Sequence, residues 1–265
     1  MLNTSKIHVS TVERVLQDAS LHWSSTDLQR LRATLDIWTG KIVPEPYHGQ
    51  VAKGFFMPGL KDEAWISPSC FKFVDTLREN FLNIRREAQQ FVNGTIVPPP
   101  YGLGGNAPSN ALPLQGNPKQ WREWRLYRAG TFYNERCRAF PETTRVLHEV
   151  LNQTSFMMNA IFLIMGPGEH LRPHTDQNNI FVNVWLPLET PSGCYLTIRE
   201  KTINPKAGEI FSFNHSYTHS AGNFGNSNRI VLALSVFHPE LTGAERQVIA
   251  KLAGMLTDST NTFPY

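Results

Sequence analysis

The sequence lacks both the cysteines of a disulfide-stabilised protein and the long apolar runs of a membrane protein. It holds three cysteines in 265 residues, an odd number placed far apart at Cys70, Cys137 and Cys194, which favours a reducing compartment over a disulfide framework. No segment approaches the roughly 20 apolar residues of a membrane span, and the first residues lack the apolar run of a secretory signal peptide. We therefore expect a cytoplasmic protein with no membrane partner.

A strong charge of either sign is also missing. The 25 Lys and Arg residues nearly balance the 22 Asp and Glu residues, which leaves a formal net charge of +3 spread along the chain. Without a basic cluster, nucleic acid is not expected as a partner. Hydrophobic residues make up 41% and charged residues 18%. This balance excludes a disordered chain, and the length suits one large domain or a core with an appended lobe.

The first part of the chain is expected to be helical. Within residues 24–38, leucines and a tryptophan recur at helical spacing, and a second and stronger apolar stripe predicts a helix over residues 67–91. Loops rich in Pro and Gly follow each helix, at residues 43–60 and 97–118. The second loop is long enough to be a functional lid. The stripe of the second helix consists of Phe71, Val74, Leu77, Phe81 and Ile84.

The rest of the chain is expected to be rich in β-structure. A strand is predicted at residues 123–130 and a short helix at residues 140–151, and then short apolar runs alternate with turns. These runs are residues 156–165, 179–188, 193–200, 208–214 and 229–237. Several short strands separated by Gly, Pro and Asn predict a sandwich or a jelly roll.

The predicted fold class is therefore α+β with a mostly β core. We place a helical and loop segment packed on the core at residues 1–115, the β core at residues 116–250, and a C-terminal tail at residues 251–265.

The stretch GEHLRPHTDQNN, residues 168–179, puts costly polar groups between two strand-like runs. His174 and Asp176 within it are either part of a polar turn or ligands of a metal. A later segment, FNHSYTHSAGN, supplies His219, and Arg229 opens the apolar run that follows. Two histidines and a carboxylate on one face of a metal form the ligand set of non-haem Fe(II) oxygenases, which leaves positions for an oxo-acid cosubstrate and O₂. A buried arginine suits the far carboxylate of such a cosubstrate because guanidinium binds carboxylates bidentately.

The other histidines are interpreted as structural. His170 is expected to be hydrogen-bonded within a strand or turn, and His215 to line the turn before His219. His238 is expected to close the last strand, and His148 to lie on a solvated helix face.

These residues and the segments around them resemble the aspartyl/asparaginyl β-hydroxylases, which are Fe(II)- and 2-oxoglutarate-dependent oxygenases with a double-stranded β-helix core, a cupin-like jelly roll. The resemblance implies that His174 and His219 bind iron and that Arg229 binds 2-oxoglutarate. It covers about two-thirds of the chain in consistent order. The similar segments are residues 58–60, 73–88, 124–147, 167–175, 193–200, 207–223 and 229–242.

The chain departs from the animal enzymes of this family at three positions. They have Gly where this chain has Asp176, which here completes a predicted ligand set of His174, Asp176 and His219. They have an Arg and a His that help to hold the cosubstrate where this chain has Asn183 and Trp185, so these two residues are assigned to the cosubstrate pocket with Arg229. The animal enzymes are also membrane-anchored. Since no anchor or secretory signal is visible here, we expect a small-molecule substrate, such as an amino acid or a biosynthetic intermediate.

Three further residues are candidates for binding the substrate. Arg172 lies beside the ligand motif and is either a clamp for a substrate carboxylate or a member of a surface salt bridge. Tyr127 and Arg128 either reach the mouth of the jelly roll or pack within a strand.

The predicted function is oxidation of an unactivated C–H bond by an Fe(II)/2-oxoglutarate-dependent dioxygenase that consumes O₂ and releases succinate and CO₂. The outcome is hydroxylation, desaturation or oxidative cyclisation, because the same chemistry supports all three. The alternatives are a non-catalytic cupin-like module that binds a carboxylated ligand, a hydroxylase of Asp or Asn residues in proteins, and a metal-dependent hydrolase with the same ligands.

Overall fold

A computed structural model describes residues 9–44, 50, 55–94, 121–176 and 178–258. Its α-helices are α1 Val9–Ala19, α2 Gln29–Trp38, α3 Val74–Glu79, α4 Phe81–Val92, α5 Asn134–Cys137, α6 Pro141–Thr154 and α7 Gly243–Asp258. Its strands are β1 Trp65–Ile66, β2 Trp121–Arg128, β3 Thr131–Phe132, β4 Met157–Met165, β5 Glu169–His174, β6 Phe181–Glu189, β7 Cys194–Ile198, β8 Lys201–Ile203, β9 Phe211–Phe213, β10 His219–Asn223 and β11 Arg229–Phe237. Among these residues, no helix is both long and apolar enough to cross a bilayer.

The strands form two antiparallel sheets that face each other. The major sheet has the order β1-β9-β6-β11-β4-β2-β3, and the minor sheet has the order β5-β10-β7-β8. Leu163 and Val231 of the major sheet share one buried apolar cluster with Leu196 and Ile198 of the minor sheet. The protein is thus an α+β jelly roll of the double-stranded β-helix type, which confirms the predicted fold class.

Strand β11 shows why the major sheet lies at the centre of the molecule. All nine of its residues are buried, as expected for a strand that is covered on both faces. Leu232 and Leu234 point to the helices, where they join a cluster with Leu147 of α6. Val231 and Ala233 point the other way, toward the minor sheet. We call this second side of the major sheet the inner face, and it is the side on which a site between the sheets must be built.

Helices cover the opposite, outer face of the major sheet. The carboxylate of Glu87 in α4 accepts hydrogen bonds from the backbone N–H groups of Glu142 and Thr143 at the start of α6, each 2.8 Å long. A carboxylate at this position satisfies free N–H groups and opposes the positive end of the helix dipole. Helices α7 and α1 pack elsewhere, in a second cluster with Phe181 and Phe237. Phe237 lies four residues after Ala233, so this cluster lies on the inner-face side of the major sheet.

The predicted helices differ from the observed ones in their limits. The first begins at Gln29 rather than near residue 24, because Ser24 and Asp27 hydrogen-bond to each other in a turn before it. The prediction of one continuous helix over residues 67–91 is wrong. A 3₁₀ turn precedes α3, and α3 is separated from α4 at Asn80. There the side-chain amide donates to the Thr76 carbonyl, a local bond that competes with continued helix.

Six predicted strands are confirmed: residues 123–130 as β2, 156–165 as β4, 179–188 as β6, 193–200 as β7, 208–214 as β9 and 229–237 as β11. The predicted helix at residues 140–151 is confirmed as α6. Strands β1, β3, β5, β8 and β10 and helices α1, α5 and α7 were not predicted. The loop at residues 97–118 and part of the loop at 43–60 lie outside the described residues. The division at residues 115 and 250 stays a prediction.

Candidate metal centre

His174, Asp176 and His219 lie together between the two sheets, and we call them the metal group. His174 ends β5 and His219 begins β10, and the two residues are directly opposite each other in the antiparallel pair of strands. Their ring centroids are 4.1 Å apart. One ligand atom from each of the three residues lies within 4.8 Å of the others, and in the described part of the chain this is the one such group of His, Cys, Asp or Glu.

Backbone carbonyls orient both imidazoles of the metal group. Nδ1 of His174 lies 2.9 Å from the Arg172 carbonyl oxygen, and Nδ1 of His219 lies 2.9 Å from that of Tyr217. A proton on Nδ1 that is donated to a carbonyl leaves the Nε2 lone pair available as a metal ligand. Burial is the main cause that lowers the pKa of His219 to about 4. The imidazole is therefore neutral near pH 7, as metal binding requires.

Asp176 follows β5 in an irregular segment, with its side chain 31% exposed. Its Oδ2 lies 3.1 Å from Nδ1 of His215, and its backbone N–H donates to the His215 carbonyl at 3.0 Å. Partial loss of hydration would raise the pKa of the Asp176 carboxyl, but the His215 hydrogen bond and the neighbouring histidines outweigh this effect. The net pKa lies well below the usual range, so the side chain is an anion and is able to bind a divalent cation.

Arg229 is the first residue of β11 and is 1% exposed. It precedes Val231 by two residues and Ala233 by four, so its side chain lies on the same, inner face of the sheet as theirs. Its Nε and Nη1 atoms have no hydrogen-bond partner among the described residues. Burial lowers its pKa to about 10, which still leaves a cation at neutral pH. A buried guanidinium with two unsatisfied N–H groups is costly, and it fits a site for an anion such as a carboxylate.

Trp185 connects Arg229 with the metal group through a series of contacts. The guanidinium carbon of Arg229 lies 5.6 Å from the centre of the indole ring. The Trp185 and Phe213 ring centroids are 5.2 Å apart, and those of Phe213 and His219 are 5.8 Å apart. Within the described part of the chain, Nε1 of Trp185 is buried without a hydrogen-bond partner, so it is a further donor that an anion beside Arg229 could use.

A row of polar residues crosses the inner face at the level of Phe213. Cross-strand pairing places Phe213 beside Asn183, Asn183 beside Ser235, Ser235 beside Asn159, and Asn159 beside Arg128. We call Phe213 and the four polar residues that follow it the inner row. Asn159, Ser235 and Arg128 are buried. Because Phe213 contacts His219, the inner row begins at the metal group and ends at Arg128.

The predicted site residues are thus brought together in part. The metal group, Arg229, Asn183 and Trp185 lie between the sheets, and Arg128 lies on the inner face. Tyr127 lies on the outer face, in the cluster with the helices, and its hydroxyl accepts from the Gly130 N–H at 2.8 Å. Arg172 is exposed on β5, the edge strand of the minor sheet.

The sequence interpretation missed two polar residues of the inner row and one contact of the metal group. Asn159 and Ser235 interrupt the apolar strands β4 and β11, and a single polar residue inside such a run was the available signal. His215 was assigned to the turn before His219, but its contact with Asp176 was not predicted. The exposed His148 stacks on Phe132, with ring centroids 4.2 Å apart.

The family model described as aspartyl/asparaginyl beta-hydroxylase matches residues 78–239, which is more than half of the chain. The protein belongs to the aspartyl/asparaginyl β-hydroxylase family. This confirms the resemblance that the motifs indicated.

Curated relatives are identical to this chain at about a quarter of the aligned positions. It is 26% identical to mouse aspartyl/asparaginyl beta-hydroxylase over 197 residues, which cover 71% of this chain and 25% of that protein. It is 26% identical to human aspartate beta-hydroxylase domain-containing protein 2 over 205 residues, which cover 74% of this chain and 53% of that protein. The chain therefore spans about a quarter and about half of the length of these two relatives.

Among solved structures, the chain is similar to the viral collagen prolyl hydroxylase of Paramecium bursaria Chlorella virus-1 in its 2OG complex. The TM-score is 0.30 at 14% identity, over 44% of this chain and 77% of the viral one. It is also similar to the cupin domain of Schizosaccharomyces pombe Cnp3, with a TM-score of 0.32 at 12% identity, over 48% of this chain and 70% of that domain.

The prediction of a small-molecule substrate is wrong. The relatives are named for aspartyl and asparaginyl groups, and these words denote the amino acids as residues of a polypeptide. The prediction rested on the lack of a visible anchor and secretory signal. Such segments concern where a protein resides, and they do not determine which molecule its active site binds.

Proposed function

We propose that this β-hydroxylase family member is an Fe(II)- and 2-oxoglutarate-dependent oxygenase that hydroxylates Asp or Asn residues of a polypeptide. The observation that carries the proposal is the metal group placed across β5 and β10, together with the buried Arg229 on the inner face, whose Nε and Nη1 atoms have no hydrogen-bond partner among the described residues. Family membership supplies the reaction class, and the arrangement of these residues supplies the cofactor requirement.

The metal group suits Fe(II) by its donor set. Two neutral imidazole nitrogens and one carboxylate form the facial triad of non-haem iron oxygenases. Bound iron and 2-oxoglutarate supply oxidative decarboxylation of the cosubstrate to succinate and CO₂, coupled to oxidation of a substrate C–H bond by O₂. The chain's own contribution is to hold the imidazoles through the Arg172 and Tyr217 carbonyls and to keep Asp176 ionised.

The pocket around Arg229 suits the far carboxylate of 2-oxoglutarate. The guanidinium offers Nε and Nη1, and Trp185 offers Nε1 as a further donor. These donors are buried, and hydrogen bonds to a charged group are stronger where water is excluded. In this proposal Asn183 and Trp185 take over the cosubstrate contacts that an Arg and a His make in the animal relatives.

The inner row suits a polar side chain of the substrate. Asn183, Ser235 and Asn159 are hydrogen-bonding residues that lead from the metal group to Arg128. In the proposed function, Arg128 lies at the far end of this row and contacts a polar group of the bound polypeptide beyond the residue to be hydroxylated.

The test combines spectroscopy with product analysis. Fe(II) and 2-oxoglutarate are added to the full chain without oxygen, and a visible metal-to-ligand charge-transfer band is expected. After air is admitted, peptides that contain Asp or Asn are expected to stimulate succinate formation and to gain one oxygen by mass spectrometry, whereas matched peptides with Ala at that position are not. Peptide turnover without O₂ would indicate a hydrolase, and cosubstrate binding without succinate formation for any peptide would indicate a binding module. Either outcome overturns the proposal.

A further inference from the structure

We propose that His215 is a positioning residue that holds the Asp176 carboxylate in the orientation required for binding iron. The inference rests on the proposed function, in which Asp176 is an iron ligand. It assigns a role to a side chain that the proposed function itself does not use. His215 does not belong to the metal group and acts in this inference only through Asp176.

Asp176 needs such support because no strand holds it. Strand β5 ends at His174, so the backbone ladder that fixes the first histidine does not extend to the carboxylate. A partly exposed side chain in an irregular segment samples several rotamers unless another group fixes it. Two hydrogen bonds to one residue fix Asp176 here. Nδ1 of His215 lies 3.1 Å from Oδ2 of Asp176, and the Asp176 N–H donates to the His215 carbonyl at 3.0 Å.

His215 is itself fixed within a well-bonded turn between β9 and β10. It is 5% exposed. The backbone N–H of Asn214 donates to the Ala64 carbonyl at 2.9 Å, and the Asn214 side-chain oxygen accepts from the backbone N–H and the hydroxyl of Ser216. The Ser216 hydroxyl also accepts from the Gln50 side-chain amide at 2.8 Å. The imidazole is therefore carried by a rigid segment that also leads to His219.

The polar contacts of the His215 ring indicate a role other than packing. Among the described residues, its side chain hydrogen-bonds only with Asp176, and its Nε2 is buried without a partner. Donation from Nδ1 occupies Oδ2 of Asp176 and leaves Oδ1 for a metal. Residues that orient metal ligands in this way typically contribute about 10- to 100-fold to metal affinity.

The experiment measures Mn(II) binding to the metal-free full chain by electron paramagnetic resonance, without cosubstrate, so that its readout does not depend on activity. Replacing His215 with Leu removes the donor, whereas His215→Asn keeps an N–H close to the position of Nδ1. We expect His215→Leu to weaken Mn(II) binding by about 10- to 100-fold and His215→Asn to remain close to the wild type. His148→Leu, at an exposed position of α6, is the control.

A double-mutant cycle separates positioning from folding. If His215 acts through Asp176, His215→Leu causes no further loss of Mn(II) affinity in an Asp176→Ala background, because interacting residues are not additive. An equal loss in both backgrounds, or unchanged affinity in His215→Leu, overturns the inference. If circular dichroism shows that the Leu variant does not fold, His215→Gln replaces it. The Gln amide lies near the position of Nε2 and not of Nδ1, so this variant is also expected to bind Mn(II) more weakly than the wild type.

The outcomes also distinguish this inference from the proposed function. A wild-type chain that binds Mn(II) and shows the His215 effect, but forms no succinate with any peptide, retains the positioning role and loses the oxygenase activity. A wild-type chain that binds no Mn(II) overturns both.

Discussion

The guanidinium of Arg229 and the indole of Trp185 share one buried pocket, with the guanidinium carbon 5.6 Å from the ring centre. A cation above an indole gains up to about 2 kcal/mol when water is excluded, but the effective cost of burying a charge is several kcal/mol. The indole therefore offsets only part of the cost of burying Arg229. An anionic ligand would offset the remainder, and for this reason we propose that the pocket binds an anion.

Replacement of Arg229 by Ala is expected to raise the 2-oxoglutarate requirement while leaving metal binding nearly intact. Losing one partner of a buried, charge-assisted pair costs roughly 3–5 kcal/mol, which corresponds to a hundredfold or greater effect. The measurements are the KM for 2-oxoglutarate from succinate formation and the dissociation constant for Mn(II). Arg138→Ala, at an exposed position, is the control. Unchanged cosubstrate affinity would move the carboxylate site elsewhere, for example to Arg172.

Trp185→Phe tests the indole N–H separately from the indole ring. The phenyl ring keeps the packing on Phe213, whereas the donor at Nε1 is lost. A hydrogen bond to a charged group contributes about 1.5–3 kcal/mol, so the KM for 2-oxoglutarate is expected to rise roughly ten- to a hundredfold. Trp65→Phe is a matched control, because Nε1 of Trp65 on β1 is also buried and has no partner among the residues that the structure describes. Equal effects in the two variants would show that loss of packing, and not of the donor, is responsible.

Asp176→Gly distinguishes a three-ligand from a two-histidine site. If Asp176 is a ligand, its loss removes the single anion of the metal group, and iron affinity and coupled oxidation are expected to fall severely. A residue that only orients a ligand or a water would cost about 10- to 100-fold. Iron binding is measured by anaerobic titration and coupling by the ratio of hydroxylated peptide to succinate. Near-normal values for both would leave a site with His174 and His219 alone.

His238 is expected to reduce stability in acid. Burial is the main cause that lowers its pKa to about 4, below the ordinary value near 6.5. The unfolded chain therefore binds a proton more readily between these values, so the contribution of neutral His238 is complete above pH 6.5 and is lost as the pH falls toward 4. The shift corresponds to a loss of up to about 3 kcal/mol.

His238→Asn provides the measurement for this effect. The Asn oxygen can accept from the Glu240 N–H, as Nδ1 of His238 does at 3.3 Å, but it does not titrate. The free energy of unfolding in urea, measured on metal-free protein at pH 7 and pH 4.5, is expected to decrease less in the variant than in the wild type. Parallel decreases would assign the acid sensitivity to other groups.

The sequence predicted the elements whose composition determines their structure. Strands β4, β6 and β11 are long apolar runs and were recognised as such. Strands β5 and β10 were missed because EHLRPH and HSAGN are short and largely polar, and their extended conformation depends on pairing with each other and with β7. The ligand residues were found from their chemical types and order, although the strands that carry two of them were not.

A single extra residue in β2 explains why the roles of Tyr127 and Arg128 could not be separated from sequence. The pairing with β4 shifts between Arg125 and Tyr127, so Leu126 and Tyr127 both lie on the outer face. Arg128 is then opposite Asn159 on the inner face. Alternation of side chains along a strand predicts facing only where no bulge intervenes, and the sequence does not mark this one. The Asp176–His215 contact was likewise set by tertiary structure, because it joins distant segments.

The pairing of β5 with β10 makes the metal group sensitive to strand register. Side chains along a strand alternate between its two faces, so a slip of one residue would turn either His174 or His219 away from the other. An ion held by both histidines can bind tightly only to chains in which the two strands are correctly aligned, and a ligand that binds one form preferentially stabilises that form. Metal added during refolding would then select the correct register of the minor sheet, because it stabilises chains with the aligned edge strand over chains in which that strand is misaligned.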